Sequence, residues 1–182
     1  TINGWNFQQG VAGSKERLKL QEVVSWGSLR LGTPTVQGEY FKGTTNMVVS
    51  ATDALDLTGT TSLASAFQDA PAFNGAIGNW DVAGITDMNS MFAGATSFNQ
   101  PLLTWTPSSV TSMANMFAGA TAFNQSLSGW GDINDVTTME SMFDGASAFN
   151  GSIAWTNLDA LSTTAGMFNN AAAFNQALSW PS

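Results

Sequence analysis

Residues 80–105 read W-D-V-A-G-I-T-D-M-N-S-M-F-A-G-A-T-S-F-N-Q-P-L-L-T-W, and this stretch decides the fold because close copies of it recur along the chain. The copies are marked by tryptophans at a spacing of 25 residues: Trp80, Trp105, Trp130, Trp155 and Trp180. Self-similarity at such a period is typical of a solenoid, since each unit is too small to bury its own apolar side chains and must stack on its neighbours.

A pair of phenylalanines six residues apart gives the steadiest register: Phe67/Phe73, Phe92/Phe98, Phe117/Phe123, Phe143/Phe149 and Phe168/Phe174. The copy that ends at Trp155 has one extra residue before Phe143 and one fewer after Phe149, and a related segment surrounds Phe41. We therefore expect one solenoid domain of about six coils. Its predicted parts are an N-terminal lead segment or cap (1–25), a degenerate first coil (26–54) and five repeats of 25 or 26 residues (55–182), truncated at the C-terminus.

Within one unit, Met88, Met91 and Phe92 follow the i, i+3, i+4 spacing of a helical turn. Thr86 is placed to cap the start of this turn and Gly94 to end it. A short extended piece is expected between Phe98 and Trp105. The predicted fold class is a repeat solenoid with short strands, short helical turns and one Met/Phe/Trp core.

Stacking places like side chains above like, so the aromatic columns are predicted to be structural. The tryptophans named above belong to this set, together with Phe92, Phe98, Phe117, Phe123, Phe143 and Phe149. A column of asparagines is predicted to form an amide ladder that donates and accepts along the stack: Asn74, Asn99, Asn124, Asn150 and Asn175. At the N-terminal end, Leu18, Leu20, Val24 and Trp26 share one parity in a strand-like run that we expect to cover the core.

Charge and composition exclude several functions. All five basic residues lie in the first 42 positions and ten acidic residues follow them, so a nucleic-acid partner is excluded and an anionic membrane is disfavoured. The chain has no cysteine and no histidine, which removes disulfides, Cys/His zinc sites and the usual catalytic bases. The sequence has no apolar run long enough to predict insertion into a membrane. It also indicates no cofactor and no catalytic residues.

Two sets of polar residues are candidates for binding. Asp132, Asn134 and Asp135 are the sole local candidates for calcium ligands, although turn and cap formation is the favoured role of the aspartates. Gln100, Gln125 and Gln176 follow the asparagine column and form a candidate exposed binding row, with a merely solvated row as the alternative.

The unit at residues 80–100, W-D-V-x-x-I-T-D-M-x-x-M-F-x-G-A-T-S-F-N-Q, resembles the 25/26-residue repeat of BspA-like, or DUF285, bacterial surface proteins. The resemblance covers roughly residues 26–182. It implies a leucine-rich-repeat-like solenoid, an extracellular or cell-surface location and a non-enzymatic adhesion module that binds a protein or a glycan.

Two alternatives remain open beside adhesion. The repeats could form a structural stalk or spacer, or a self-associating scaffold that joins end to end through an uncapped C-terminal coil. The third hypothesis is binding to ice or another crystal surface, because Thr86, Thr111 and Thr137 recur at the repeat spacing. Capping of the following turn is the favoured explanation of these threonines.

Overall fold

The computed structural model describes residues 2–5, 16–32, 37–178 and 180, so parts of the predicted lead segment and the last two residues lie outside it. Regular secondary structure is short within this range. The strands are β1 (Ile2–Trp5), β2 (Glu22–Val23), β3 (Leu29–Leu31) and β4 (Val48–Val49), and the 3-10 helices are Glu16–Leu18 and Ser128–Trp130. Strand β1 pairs with β3 and β2 with β4, both in parallel.

The rest of the chain is organised by its repeats. We name residues 26–54 repeat 1 and residues 55–80, 81–105, 106–130, 131–155 and 156–180 repeats 2 to 6. Equivalent residues of successive repeats are joined by single parallel bridges: Ser62 to Asp87, Asp87 to Ser112, Ser112 to Thr138 and Thr138 to Thr163. Residues that are 25 or 26 positions apart in sequence are therefore neighbours in space.

The main connection between repeats is a row of backbone hydrogen bonds, which we call the donor row. Alternate N–H groups of one repeat donate to alternate carbonyl oxygens of the next. From repeat 3 to repeat 4 the donors are Met88, Ser90, Phe92 and Gly94, and the acceptors are Ser112, Ala114, Met116 and Ala118, at 2.8–3.0 Å. The same pattern joins repeats 2 and 3, 4 and 5, and 5 and 6. Every N–H of the donor row points toward the C-terminal end of the stack.

The Met-x-x-Met-Phe segments form successive turns, and the described residues contain no α-helix. In repeat 3, Met91 N–H donates to Met88 and Ala93 N–H to Ser90, which closes two turns. Ser90 and Gly94 have φ of +56° and +72°, and residues with positive φ interrupt a right-handed helix. The prediction of a helical turn is wrong because alternate N–H groups are aimed at the next repeat instead of the preceding turn.

Two parallel columns of phenylalanine rings fill the core. Within repeat 4 the rings of Phe117 and Phe123 lie 4.1 Å apart, and Phe117 stacks between Phe92 at 5.4 Å and Phe143 at 5.5 Å. The six phenylalanines of repeats 3 to 5 have no exposed surface. Offset parallel rings at such distances add to the stabilisation from apolar burial.

Repeat 5 accommodates its irregular spacing at two loops. The inserted residue falls between Trp130 and Val136, where Ile133 keeps a buried position. After Phe149, Trp155 N–H reaches back to Ile153 at 2.9 Å, whereas Trp130 N–H reaches one residue further, to Leu127 at 3.1 Å. The shorter turn keeps Ile153 in the core at 4% exposure.

The N-terminal end differs from the prediction made for it. Trp26 is buried and Leu20 packs against the core, as predicted, but Val24 is 70% exposed and Leu18 39% exposed, while Val23 packs against the core; the predicted single parity is therefore wrong at Leu18 and Val24. The Asp53 carboxylate fixes the turn that follows Val24, because it accepts hydrogen bonds from the N–H groups of Trp26 and Gly27 at 2.9 and 2.7 Å. The Ser25 hydroxyl donates to the same carboxylate at 2.9 Å.

Candidate functional site

The tryptophans lie inside the stack. Trp80, Trp105, Trp130 and Trp155 are at most 3% exposed, and Trp180 is half-buried. The indole N–H groups of Trp105, Trp130 and Trp155 donate to the carbonyl oxygens of Ile77, Leu102 and Leu127 in the preceding repeat, at 3.1, 2.9 and 3.1 Å. Buried rings with an engaged N–H cannot serve as flat platforms for sugar rings.

The asparagine column forms a ladder, but its pairing differs from an amide-to-amide chain. Each side-chain oxygen accepts the backbone N–H of the asparagine in the next repeat. The pairs are Asn99 to Asn74, Asn124 to Asn99, Asn150 to Asn124 and Asn175 to Asn150, at 2.8–3.0 Å. The column therefore satisfies backbone groups that no strand partner reaches.

The glutamine row is tied to that ladder. The side-chain nitrogens of Gln100, Gln125 and Gln176 donate to the oxygens of Asn74, Asn99 and Asn150, at 3.1, 2.9 and 2.9 Å. Gln100 and Gln125 are also half-buried, and only Gln176 is exposed. Since glycines take the equivalent places at 75 and 151, the glutamines do not form a continuous row.

A row of exposed hydroxyl groups does run without a break through four repeats. We call Thr86, Thr111, Thr137 and Ser162 the hydroxyl row. Each hydroxyl donates to the carbonyl oxygen of the equivalent residue in the preceding repeat, at 2.7–3.1 Å, beginning with Thr86 to Thr61. The backbone N–H groups of the same residues donate to the same carbonyls.

This arrangement corrects the N-cap interpretation of the threonines. A threonine just before an apolar turn has the sequence pattern of a cap, but here the side chain bonds across to another repeat. Both the hydroxyl proton and the backbone are held in place, so the hydroxyl oxygen has the same hydrogen-bonded setting in each of the four repeats. Recurrence at 25 or 26 residues was the available signal for this row.

A second set of hydroxyls is less regular. Thr96, Thr121 and Ser147 donate to Pro71, Thr96 and Thr121 at 3.3–3.5 Å. These distances are at the long end of the range for hydroxyl donors. The set ends at Ala172, which has no hydroxyl group.

The acidic residues are spread over turns. Asp81 and Asp87 accept the N–H groups of Ala83 and Asn89, two residues onward, as turn-forming aspartates do. Asp132, Asn134 and Asp135 are exposed, and buried Ile133 separates the first from the other two. Among the described residues, no group of three or more Asp, Glu, His or Cys is arranged to hold a metal ion.

Two carboxyl groups near repeat 1 have lowered pKa values for structural reasons. The N–H groups of Gly27 and Trp26 lower the pKa of Asp53. The pKa of Asp56 is lowered by hydrogen bonds from Thr58 and by the charge of Arg30, whose guanidinium lies 2.7 Å away.

Two shallow lateral grooves, of about 330 and 280 Å³, contain a single carboxyl side chain, that of Asp81. The described helices include none with the length and apolar character needed to cross a membrane.

A comparison with protein families matches residues 38–153 to the model described as Mycoplasma protein of unknown function, DUF285. The matched range runs from the middle of repeat 1 almost to the end of repeat 5. No curated protein and no solved structure matches the chain. The family description leaves the function open.

Proposed function

The chain belongs to the DUF285 family, and on this premise we propose that it is a non-enzymatic, leucine-rich-repeat-like solenoid module that binds a protein or glycan ligand at a cell surface or outside the cell. The observation that carries the proposal is the hydroxyl row. Four successive repeats present the same exposed oxygen in the same hydrogen-bonded setting. An extended partner can therefore meet one contact repeatedly, as repeat proteins commonly allow.

Charge narrows the class of ligand. No lysine or arginine occurs after position 42, so the hydroxyl row offers no counter-charge to a sulfated or phosphorylated polymer. A neutral glycan or a protein surface rich in hydrogen-bond donors fits better. Neighbouring contacts are about 4.8 Å apart if the bridged repeats keep the spacing of paired strands.

The non-enzymatic part of the proposal is supported by how the acidic groups are used. General acid–base chemistry needs two titratable groups that face one reacting atom. Asp81 and Asp87 instead accept hydrogen bonds within their own turns, and Asp53 holds the turn at Trp26.

Binding of the full chain to arrays of glycans and of extracellular proteins tests the proposal. A variant with Thr111→Val and Thr137→Val removes two hydroxyls at nearly constant shape. We expect it to bind an identified ligand at least about tenfold more weakly, which corresponds to the loss of roughly 1.4 kcal/mol. The matched control, Thr96→Val with Thr121→Val, changes the less regular hydroxyls and should bind within about twofold of the wild type.

The proposal fails if the arrays yield no ligand, or if both double variants bind as well as the wild type. The first result would favour a stalk or spacer, which the unchanged bonding between successive repeats also supports. Thermal-hysteresis measurements on the same samples would test the remaining hypothesis, binding to ice.

A further inference from the structure

The smaller of the two lateral grooves adjoins the hydroxyl row. It has a volume of about 280 Å³, and its lining includes Thr61, Asp81, Gly59 and Gly84. The carbonyl oxygen of Thr61 accepts both the hydroxyl and the backbone N–H of Thr86, the first member of the row. A ligand in the groove therefore lies beside the exposed oxygens of the row.

Two glycines leave this groove open. Gly59 and Gly84 occupy equivalent positions in repeats 2 and 3, and a Cβ added to either would meet no atom within 4 Å. Repeats 4 and 5 have Ser109 and Asp135 at this position. Gly59 has φ of +83°, which favours glycine, but the φ of Gly84 lies outside the positive range. The backbone therefore does not require glycine at position 84, and the effect of this glycine is an open groove.

The groove combines oxygen acceptors with an apolar wall. One carboxylate oxygen of Asp81 accepts the N–H of Ala83 at 3.1 Å, and the other has no hydrogen-bond partner among the described residues. The apolar wall is Leu57, which is 8% exposed. The lining includes neither lysine nor arginine. These groups suit an uncharged ligand that has both hydroxyl donors and C–H surface.

One residue further along the repeats, a set of side chains offers the opposite hydrogen-bonding group. The hydroxyl oxygens of Ser62, Thr138 and Thr163 accept the N–H group two residues onward, at 3.1–3.3 Å. Their own protons donate to no other residue in the described ranges, whereas each hydroxyl of the hydroxyl row has given its proton to a carbonyl oxygen. A ligand that runs along the stack thus meets both donors and acceptors.

We propose that this groove is a subsite for one ring of a neutral, hydroxyl-rich glycan and that the glycan chain continues along the hydroxyl row. The inference rests on the proposed function and names the class of ligand. A sugar hydroxyl both donates and accepts, so it matches both sets of groups, and the C–H surface of the ring packs on Leu57. The groove volume of about 280 Å³ lies near the lower end of the range for ligand pockets, roughly 300–1,000 Å³, and suits a single ring.

An ordered lattice of water fits the same surface less well. Asp87 takes the place of a hydroxyl in repeat 3, and Glu140 is exposed three residues after Thr137 of the row. Carboxylates interrupt the regular array of hydroxyls that a crystal surface needs, but they accept strong hydrogen bonds from sugar hydroxyls.

Neutral β-linked oligosaccharides of glucose, mannose and N-acetylglucosamine, each as a series from monosaccharide to hexasaccharide, test the inference on the full chain. We expect affinity to rise with chain length, because a longer glycan contacts more repeats. NMR shifts at the amides of Gly59, Thr61 and Gly84 should appear from the monosaccharide upward. Affinity should change less than about twofold with ionic strength, because the contacts are between neutral ligand groups and the protein.

Three variants of the full chain locate the subsite. Gly84→Gln fills the groove, and Ala76→Gln places the same side chain in the other lateral groove, where Ala76 is exposed. We expect Gly84→Gln to weaken binding of the hexasaccharide at least about tenfold and Ala76→Gln to change it less than about twofold. Asp81→Asn keeps an oxygen for the N–H of Ala83 but replaces the free acceptor by a donor, and should weaken binding at least about threefold. Melting curves check that the variants fold.

Equal effects of Gly84→Gln and Ala76→Gln, or affinity that does not rise with chain length, would overturn the inference. A strong dependence on ionic strength would overturn it in favour of a cationic ligand. A ligand found only among proteins, or binding to ice alone, would also overturn it. The Thr111→Val, Thr137→Val variant separates the two proposals: if it weakens glycan binding and Gly84→Gln does not, the hydroxyl row stands and the subsite fails. If no ligand of any class binds, both fail.

Discussion

The indole nitrogen of Trp130 donates a hydrogen bond of 2.9 Å to the carbonyl oxygen of Leu102, 28 residues earlier in the chain. The same oxygen accepts the backbone N–H of Trp105 at 3.1 Å. One buried carbonyl thus joins a turn within repeat 3 to the core of repeat 4, which links local structure to stacking.

Trp130→Phe removes this donor, and Trp80→Phe is a matched control because the buried indole N–H of Trp80 has no hydrogen-bond partner among the described residues. Both variants lose apolar volume from the core. We expect Trp130→Phe to lower the free energy of unfolding by about 1 kcal/mol more than Trp80→Phe does, the net value of one hydrogen bond. Urea unfolding of the two variants measures the difference, and equal losses would contradict it.

Phe117→Ala and Phe168→Ala compare the interior of the ring column with its end. Phe117 has no exposed surface and lies between two ring neighbours in its column, so its loss should lower the free energy of unfolding by about 3–5 kcal/mol. Within the described part of the chain, Phe168 stacks in its column on Phe143 alone and is half-buried. We expect Phe168→Ala to have less than half that effect in the same measurement. Comparable losses would indicate that repeat 6 is as well buried as repeat 4.

Gly119 has φ of +68°, and the nearest atoms to an added Cβ are 3.7 Å away, so a side chain there meets conformational strain without a clash. Gly119→Ala should lower the free energy of unfolding by about 1–2 kcal/mol. Gly119→Asn should lower it less, because asparagine tolerates this conformation and Asn170 adopts it in repeat 6.

The control for steric effects is Gly151→Ala, whose Cβ would collide with the backbone carbonyl of Gln125. It should be more harmful than Gly119→Ala, and thermal melting of the three variants gives the order. An asparagine variant as unstable as the alanine variant would argue against a left-handed backbone at position 119.

Asp53 is expected to make stability depend on acid pH. Its pKa is lowered in the folded state by the N–H groups of Gly27 and Trp26, so its contribution is present above the ordinary value of 3.8 and is lost as pH falls through the lower folded value. Asp53→Asn should reduce the melting temperature at pH 7 and weaken the decline below about pH 4.

Asp159→Asn provides the comparison for this effect, since Asp159 is exposed and no other described residue hydrogen-bonds to its side chain. It should leave both the melting temperature and its pH dependence close to those of the wild type. A decline as steep in Asp53→Asn as in the wild type would show that other carboxyl groups cause the acid sensitivity.

The ring columns could be predicted from the sequence because buried positions require apolar side chains. The repeated spacing of Phe92, Phe98 and Trp105 shows these positions directly. The donor row could not be predicted, because residue type does not indicate the direction in which a backbone N–H group points. Ser90 and Asn115 take positive φ in positions where a glycine would have signalled it. The hydroxyl row was visible as a recurrence, but a capping threonine and a cross-repeat threonine have the same sequence pattern.

The uniform junctions also bear on how such a chain changes in evolution. Repeats 2 to 6 meet through one hydrogen-bonding pattern and nearly one ring spacing, so removing or duplicating a whole repeat joins two surfaces that already match. Unequal recombination within the gene can then alter the copy number of repeats while each new junction remains a native one. The inserted residue in repeat 5 is accommodated in a loop while Ile133 and Val136 stay buried, so the stack tolerates a change of one residue in the length of a repeat.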